Sequence, residues 1–427
     1  MNKNLSVPTI QSSLKEWLYY IEHLNHALVD LNLDRVREIA VHLDLIHPAE
    51  CVILVGGTNG KGTTCCLLET ILLKNNNTVG LYTSPHLLSY NERIRIDGKE
   101  LSDNVHIAAM SAIEDVRNHI ALTYFEFVTL SALYIFKQVK LDLIILEVGL
   151  GGKLDATNIV DPDISVITNI AIDHTDVLGI HRNMIAQEKS GIFRPNRPSV
   201  IGESYVPVIV DKIAEYCGTI LFKRGRDWNF RVYENKWIWW GCFSFQSVLY
   251  DLPLPIIPLE NAATVLSVLH WLPFFVDKTA ICYGLRVATL PGRFQIVTRR
   301  PLIILDVGHN PHAANYLAKR LTAILFKRKG SVRVVIGMLK SKDIQGTVSC
   351  LNNLVNFWYC ADLNTPFSAR AEELASCLPH RNVQLFSNIL DAWNQSVLDA
   401  TFDSDCILVF GSFYAVKPII KKIMNSC

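Results

Sequence analysis

The sequence predicts an α/β protein of two doubly wound domains, each a parallel sheet covered by helices on both faces. Three observations predict it. Short, almost wholly apolar runs alternate with helical stretches from about residue 50. The texture changes between roughly residues 225 and 255, and the alternation then restarts near residue 295. At 427 residues the chain also exceeds what one hydrophobic core usually serves.

Each element follows in order. Leu14, Trp17, Leu18, Ile21 and Leu24 recur at helical spacing behind Ser13 and Glu16, a capping box, so the chain opens with an amphipathic helix. The runs "CVILV", "VGLYTS", "DLIILEV" and "DISVITNI" are strands buried on both faces, and "YFEFVTLSALYIFKQV" is a covering helix. "WNFRVYENKWIWWGCFSF" alternates around Glu234, Asn235 and Lys236, which predicts an antiparallel hairpin at the edge of the first domain. Trp228, Trp237, Trp239 and Trp240 lie there, and packing of a small sheet explains them better than a ligand cage. "PLIILDVGHNP", "VRVVIGML", "VNFWYCA" and "CILVFGS" then supply the strands of a second α/β domain. Pro291 and Gly292 in "ATLPGRFQIV" mark the linker, so the expected domains are residues 1–294 and 295–427.

Composition excludes several classes of function. Lys and Arg total 41 against 40 Asp and Glu, a net charge of +1, and no basic run is long enough to track a phosphate backbone, so nucleic acid is not an expected partner. The 11 cysteines are scattered and show no C-x-x-C spacing, which suits a reducing compartment. The N-terminal stretch lacks the apolar core of a signal peptide, and runs such as "FVTLSALYIF" are too short to cross a bilayer. A soluble, cytoplasmic protein with no membrane partner is expected.

The chemistry begins at "GGTNGKGTTC". A glycine-rich turn between a buried strand and a helix aims backbone N–H groups at one anion, with Lys61 as a point charge for the outer phosphates. Asn59, Gly60, Lys61, Gly62 and Thr63 meet that need, although Gly62 stands where the common phosphate-loop pattern has a hydroxyl and Val55 where it has the first glycine. Glu147 leaves an apolar strand at the edge where parallel sheets bind ligands, so it is a candidate magnesium ligand; a solvated strand-end acid is the plain alternative. Asp173, His174 and Asp176 cluster after another strand and suggest a second metal or phosphate site, unless His174 merely caps a helix.

The shifted loop "GTNGKGT" resembles that of the ATP-dependent amide ligases, which include the Mur peptidoglycan ligases and the folate ligases. "YTSPHLLSYNERIRIDG", "LTYFEF", "EVGLGGKLDATNIV", "DHTDVLG", "QEKSGIF", "LPGRFQIV", "DVGHNPHAA" and "FGSF" are similar, in order from about residue 28 to 416, to the bifunctional dihydrofolate synthase/folylpolyglutamate synthases of bacteria. The resemblance implies a P-loop ATPase-like N-terminal domain that binds ATP and pterin, and a Rossmann-like C-terminal domain.

It implies further that Gly60, Lys61, Gly62 and Thr63 hold the ATP phosphates, completed by Asn261, Arg293 and Asp306. Ser84, Glu147 and His174 would ligate Mg²⁺, and Lys61, Lys189 and His174 would be catalytic, Lys189 as a carbamate formed from CO₂. A lysine carrying a carbamate is an anion with two oxygens; an exposed lysine paired with Glu188 or Glu203 is the plain alternative. The pterin pocket would be built from Val29, Asp30 and Leu31, from Leu122, Thr123, Tyr124 and Phe125, and from Leu154, Asp155 and Ala156. An aromatic wall such as Phe125 and a carboxylate such as Asp155 suit a planar, hydrogen-bonding heterocycle.

The implied reaction joins L-glutamate to dihydropteroate, giving dihydrofolate, and to reduced folates, giving polyglutamates. ATP drives it through an acyl phosphate, and domain closure excludes water; a monomer is expected. A Mur-type amino-acid ligase is the runner-up, against which "LTYFEF" and "DATN" look folate-like; a nucleotide-gated binding protein without turnover is the alternative from another class. Three positions depart from the family pattern: Lys153 where arginine is commoner, Gly308 where alanine is usual, and Tyr414 where histidine is often found.

Overall fold

The computed structural model describes residues 6–24, 32–242, 246–326, 330–379 and 382–425. It divides into two compact units, one of Met1–Ile170 with His181–Ala288, the other of Ala171–Ile180 with Thr289–Cys427. The boundary at Thr289 falls within the linker stretch "ATLPGRFQIV".

The first unit is organised by an eight-stranded sheet. Its strands are β1 (Val52–Gly56), β2 (Val79–Tyr82), β3 (Ile94–Ile96), β4 (Lys99–Glu100), β5 (Leu143–Glu147), β6 (Ile164–Ile167), β7 (Pro198–Ile201) and β8 (Ile220–Lys223), in the order β4-β3-β2-β5-β1-β6-β7-β8. The six strands from β2 to β8 are parallel, and β3 and β4 add an antiparallel edge. Every residue of β1, β2, β5, β6 and β7 is buried, as continuous apolar runs require of a sheet covered on both faces. The register sets Val55 opposite Glu147 and Gly56 opposite Ile167, so the loops leaving β1, β5 and β6 emerge side by side at the C-terminal edge.

The expected opening helix runs Leu14–His23, and its capping box from Ser13 and Glu16 is formed. The tryptophan-rich stretch gives more than a hairpin. It is a separate three-stranded antiparallel sheet of β9 (Trp228–Tyr233), β10 (Lys236–Cys242) and β11 (Gln246–Pro253), whose third strand the alternation did not reveal. Trp228, Trp237 and Trp239 are buried, and each indole N–H donates to Phe222 O, Pro253 O and Ser267 Oγ respectively, so packing is their role.

The second unit holds a six-stranded sheet of β12 (Gln295–Arg299), β13 (Leu302–Asp306), β14 (Val332–Ile336), β15 (Phe357–Ala361), β16 (Val383–Phe386) and β17 (Cys406–Phe410), in the order β12-β13-β17-β14-β15-β16. β12 is antiparallel to β13 and the other strands are parallel. Its core, with Ile304, Val334, Trp358 and Leu408, is its own. No helix among the described residues is long and apolar enough to cross a membrane, and every described cysteine is a free thiol.

Candidate functional site

The loop after β1 is shaped by glycines for stated reasons. Gly57 has φ +134°, and a Cβ there would lie 1.9 Å from Thr168 Oγ1. Gly60 has φ +84°, and a Cβ there would meet the Asn261 carboxamide at 2.6 Å. Both positions demand glycine on sterics and on backbone conformation. The helix Lys61–Lys74 starts directly behind, so its first N–H groups face the loop.

Two residues with no expected role hold this loop. Thr168 and Asn169 follow β6, and their side chains donate to Asn59 O at 2.7 and 2.8 Å. Asn169 also accepts from Asn59 N, 3.0 Å from its Oδ1, and from Thr58 N through its backbone carbonyl. The only sign of them in the sequence is a polar Thr-Asn pair at the end of an apolar strand. Lys61 Nζ donates to Gly57 O and Thr58 O at 3.1 and 3.2 Å, and Asn261 Nδ2 donates to Thr63 Oγ1 at 2.7 Å. Asn59, Gly60, Lys61, Gly62, Thr63 and Asn261 are thereby one assembly.

Glu147 ends β5 with its side chain buried, and Ser84 N donates to its Oε2 at 3.1 Å. A solvated strand-end acid is therefore not what the structure contains. A carboxylate and a hydroxyl-bearing residue side by side are the hard oxygen donors that Mg²⁺ takes.

Lys189 is 4% exposed in the helix Arg182–Ser190, so an exposed helix lysine is not what the structure contains; Glu203 pairs with Arg182 at 2.8 Å. The "GGKLD" loop docks on the end of this helix. Lys153 N donates to Glu188 O at 2.8 Å, and a Cβ on Gly152 would lie 2.7 Å from Glu188 O and 3.0 Å from Lys189 Cα. Lys153 thus enters through its backbone while its side chain is exposed.

Of the expected pterin pocket, Val29, Asp30 and Leu31 lie outside the described residues. Leu122 is fully buried, and Thr123 caps the helix Tyr124–Lys137 in a capping box with Glu126. Phe125 lies over Gly149, where a Cβ would approach its ring to 2.5 Å, and its ring centroid is 6.0 Å from that of Tyr82. Leu154 is exposed and Ala156 buried. Asp155 is buried, and its Oδ2 accepts from Leu150 N at 2.9 Å while Oδ1 accepts from Thr157 N and Oγ1 at 3.0 and 2.5 Å. Burial pushes its carboxyl above the usual range against these hydrogen bonds. Asp155 therefore shapes its own loop, and any heterocycle must share its remaining lone pairs.

The second unit has its own polar groups. His174 stands at φ +51° in the short segment Ala171–Ile180. Beside it Asp173 accepts from Lys342 Nζ at 2.6 Å and Asn310 Nδ2 at 2.8 Å, with His309 Nε2 at 3.4 Å. Burial opposes the charge on Asp173, but His309 and Lys342 outweigh it and hold the carboxyl well below its ordinary range. Ligand-type atoms of Asp173, His174 and His309 lie within 4.8 Å of one another. Asp176, expected in this cluster, is exposed and outside it; His309, Asn310 and Lys342 take its place because the fold brings distant loops to Asp173.

Asp306 ends β13, accepting from Phe294 N and Gly308 N at 2.8 and 2.7 Å. Burial raises its carboxyl, opposed by the nearby charge of Arg293, whose guanidinium lies 5.4 Å from the Phe413 ring centroid. A Cβ on Gly308 would come within 2.8 Å of Asp306 Oδ1, so glycine suits this loop as it stands. Tyr414 is half exposed at the start of the last helix.

Known proteins share this chain's sequence and fold. Residues 55–213 match the family model for the Mur ligase middle domain, and residues 292–413 that for the Mur ligase glutamate ligase domain. The chain is 46% identical to the dihydrofolate synthase/folylpolyglutamate synthase of Escherichia coli strain K12 over 416 residues, 97% of each chain. It is 46% identical to that of Haemophilus influenzae, covering 95% of this chain and 96% of the relative. E. coli FolC in complex with DHPP and ADP superposes with TM-score 0.95 at 46% identity, over 98% of this chain and all of the other. The Yersinia pestis enzyme complexed with AMPPNP and Mn ion gives 0.93 at 49% identity, again over 98% of this chain and all of the other.

Proposed function

This chain belongs to the dihydrofolate synthase/folylpolyglutamate synthase family of Mur-type ligases, and from that premise we propose how its residues divide the reaction. The enzyme is an ATP-dependent acid–amino-acid ligase that adds L-glutamate to dihydropteroate, giving dihydrofolate, and to reduced folates, giving folylpolyglutamates. A carboxylate oxygen of the pterin substrate takes the γ-phosphoryl group and ADP leaves. The amine of glutamate then attacks the acyl carbon, phosphate departs with that oxygen, and the amine gives up a proton.

The observation that carries the division of roles is the loop of residues 57–63, bound by Thr168 and Asn169 and backed by a helix N-terminus. Its N–H groups and Lys61 would hold the phosphates of ATP without reorganising as charge develops. Asn261 positions Thr63 in the same assembly. Arg293 and Asp306, assigned to the nucleotide by the family pattern, lie within each other's electrostatic reach. Glu147 and Ser84, with His174 by the family pattern, would hold Mg²⁺, which when bound screens the phosphate charges. The first domain, residues 1–294, would carry ATP and pterin, and residues 295–427 would form the C-terminal domain. Phe125 would stack on the heterocycle, with Asp155 keeping the "LDATN" loop in shape around it. The enzyme would act as a cytoplasmic monomer.

Burial of Lys189 supports its carbamate, because a buried ammonium is costly and the uncharged amine is the form that reacts with CO₂. The test is product identification by mass spectrometry with ATP, Mg²⁺, L-glutamate and either dihydropteroate or tetrahydrofolate. Wild type is expected to give dihydrofolate and glutamylated tetrahydrofolate, Lys189→Ala to lose most of both, and Lys189→Arg to remain inactive. An active arginine variant would remove the carbamate.

A further inference from the structure

Beside Tyr124 lies a cationic group with no role so far. Arg93 is 7% exposed, in the turn Tyr90–Arg93 that leads into β3. Its Nε donates to His86 Nδ1 at 2.9 Å, which fixes the plane of the guanidinium, and its centre lies 5.6 Å from the Tyr124 ring centroid. Among the described residues no carboxylate pairs with it and nothing accepts from its two Nη groups.

Among the described residues, buried polar groups beside it lack partners. The Tyr90 ring is 6.4 Å from His86 and 5.1 Å from His106. Tyr90 Oη and both ring nitrogens of His106 are buried without a hydrogen-bond partner. The charge of Arg93 is felt by the phenols of Tyr82, Tyr90 and Tyr124, and that of Asp155 by Tyr82, so Arg93 and the "LDATN" loop border one region of the first unit. Tyr82 in turn neighbours Phe125.

A guanidinium taken out of water without a counter-charge is destabilising, and one aromatic face compensates only part of it. Such a group is retained where a partner arrives from outside, and Arg presents a planar fork suited to a carbonyl or carboxylate. We propose that Arg93 is a substrate-binding residue whose free Nη groups donate to an oxygen acceptor of the pterin substrate. This rests on the placement of the pterin at Tyr124 and Phe125. Two oxygens share the chemistry, the carbonyl of the heterocycle and the oxygen of the benzoyl group, a carboxylate in dihydropteroate and an amide carbonyl in tetrahydrofolate.

Steady-state kinetics of Arg93→Met and Arg93→Lys test it, with thermal melting to establish that each is folded. Arg93→Met is expected to raise KM for dihydropteroate and tetrahydrofolate roughly 10- to 100-fold, the cost of a charged hydrogen bond, and to leave KM for ATP unchanged. Arg93→Lys keeps charge without the fork and should fall between. Competitive inhibition by 6-hydroxymethylpterin, which lacks the benzoate, identifies the oxygen. Weakened inhibition in Arg93→Met points to the ring carbonyl, and unchanged inhibition beside a raised dihydropteroate KM to the carboxylate. Pterin KM values within about twofold of wild type in folded Arg93→Met or Arg93→Lys would overturn the proposal, as would a loss shared equally with ATP. Phe125→Ala separates the two levels: if it raises pterin KM and Arg93→Met does not, only Arg93 is misassigned; if neither does, the pocket itself is elsewhere.

Discussion

In the phosphate loop the polar groups that leave water are met by protein. Asn59 O takes hydrogen bonds from Thr168 and Asn169, Thr63 takes one from Asn261, and Lys61 rests on the carbonyls of Gly57 and Thr58. Around Arg93, in the same unit, the opposite holds: Tyr90 Oη and both nitrogens of His106 are buried with no hydrogen-bond partner among the described residues. The loop is held in shape by protein groups, as the proposed phosphate cradle requires. The aromatic cluster carries an uncompensated cost, which natural structures tolerate chiefly where a ligand or function repays it. The two regions therefore differ in what a mutation should disturb, turnover in the first and stability or substrate affinity in the second.

The largest effect belongs to the loop's charge. Lys61→Ala should lower kcat at least about 10³-fold with either pterin, because both routes share one phosphoryl transfer in a water-poor site. Melting temperature should scarcely move, since the Lys61 ammonium donates to the loop carbonyls of Gly57 and Thr58 and takes no part in the hydrophobic core. A variant with near-normal turnover would show that the cradle is not the nucleotide site.

Next comes the loop's shape. Gly57→Ala sets a Cβ against Thr168 Oγ1 at a φ that L-residues avoid, and should destabilise the first unit by about 2–4 kcal/mol while raising KM for ATP. Chemical denaturation measures the first effect and kinetics the second. If both were unchanged, the loop would be softer than its contacts imply.

The smallest effect sharpens the other side. Burial lowers the His106 imidazole to about 4 against its ordinary 6.5, with the charge of Asp103 acting weakly the other way. The folded protein thus keeps His106 neutral where the unfolded chain takes up a proton. Stability from this site is complete above pH 6.5 and declines as pH falls toward 4, by about 3 kcal/mol in all. His106→Leu should flatten that part of the profile and, by removing unpaired polar atoms, add about 1 kcal/mol at pH 7. Denaturation midpoints between pH 4 and 7 decide it; an equally steep profile in the variant would assign the acid sensitivity elsewhere.

Much of this architecture is legible in the sequence because parallel strands buried on both faces leave unbroken apolar runs, as in Val52–Gly56 and Leu143–Glu147. Short or half-exposed strands do not, which is why β4 and β16 are silent. Motifs located the loop, Glu147 and Lys189, whose burial the residue types alone do not state. Thr168 and Asn169 escaped because their role comes from register, with Gly56 beside Ile167, and not from any pattern of their own. The partners of Asp173 escaped because Asn310 and Lys342 are 137 and 169 positions away along the chain. Arg93 sits inside a recognised motif, yet only its burial with no carboxylate beside it among the described residues singles it out.

Oxygen transfer tests the central claim, that ATP activates the carboxylate of the pterin substrate before glutamate attacks it. Dihydropteroate labelled with ¹⁸O in both carboxylate oxygens would be turned over with ATP and glutamate, and the released phosphate analysed by mass spectrometry. An acyl phosphate predicts one ¹⁸O atom in each phosphate formed and one retained in the new amide. Phosphate free of label, with both labelled oxygens lost to water or retained in the substrate, would contradict it.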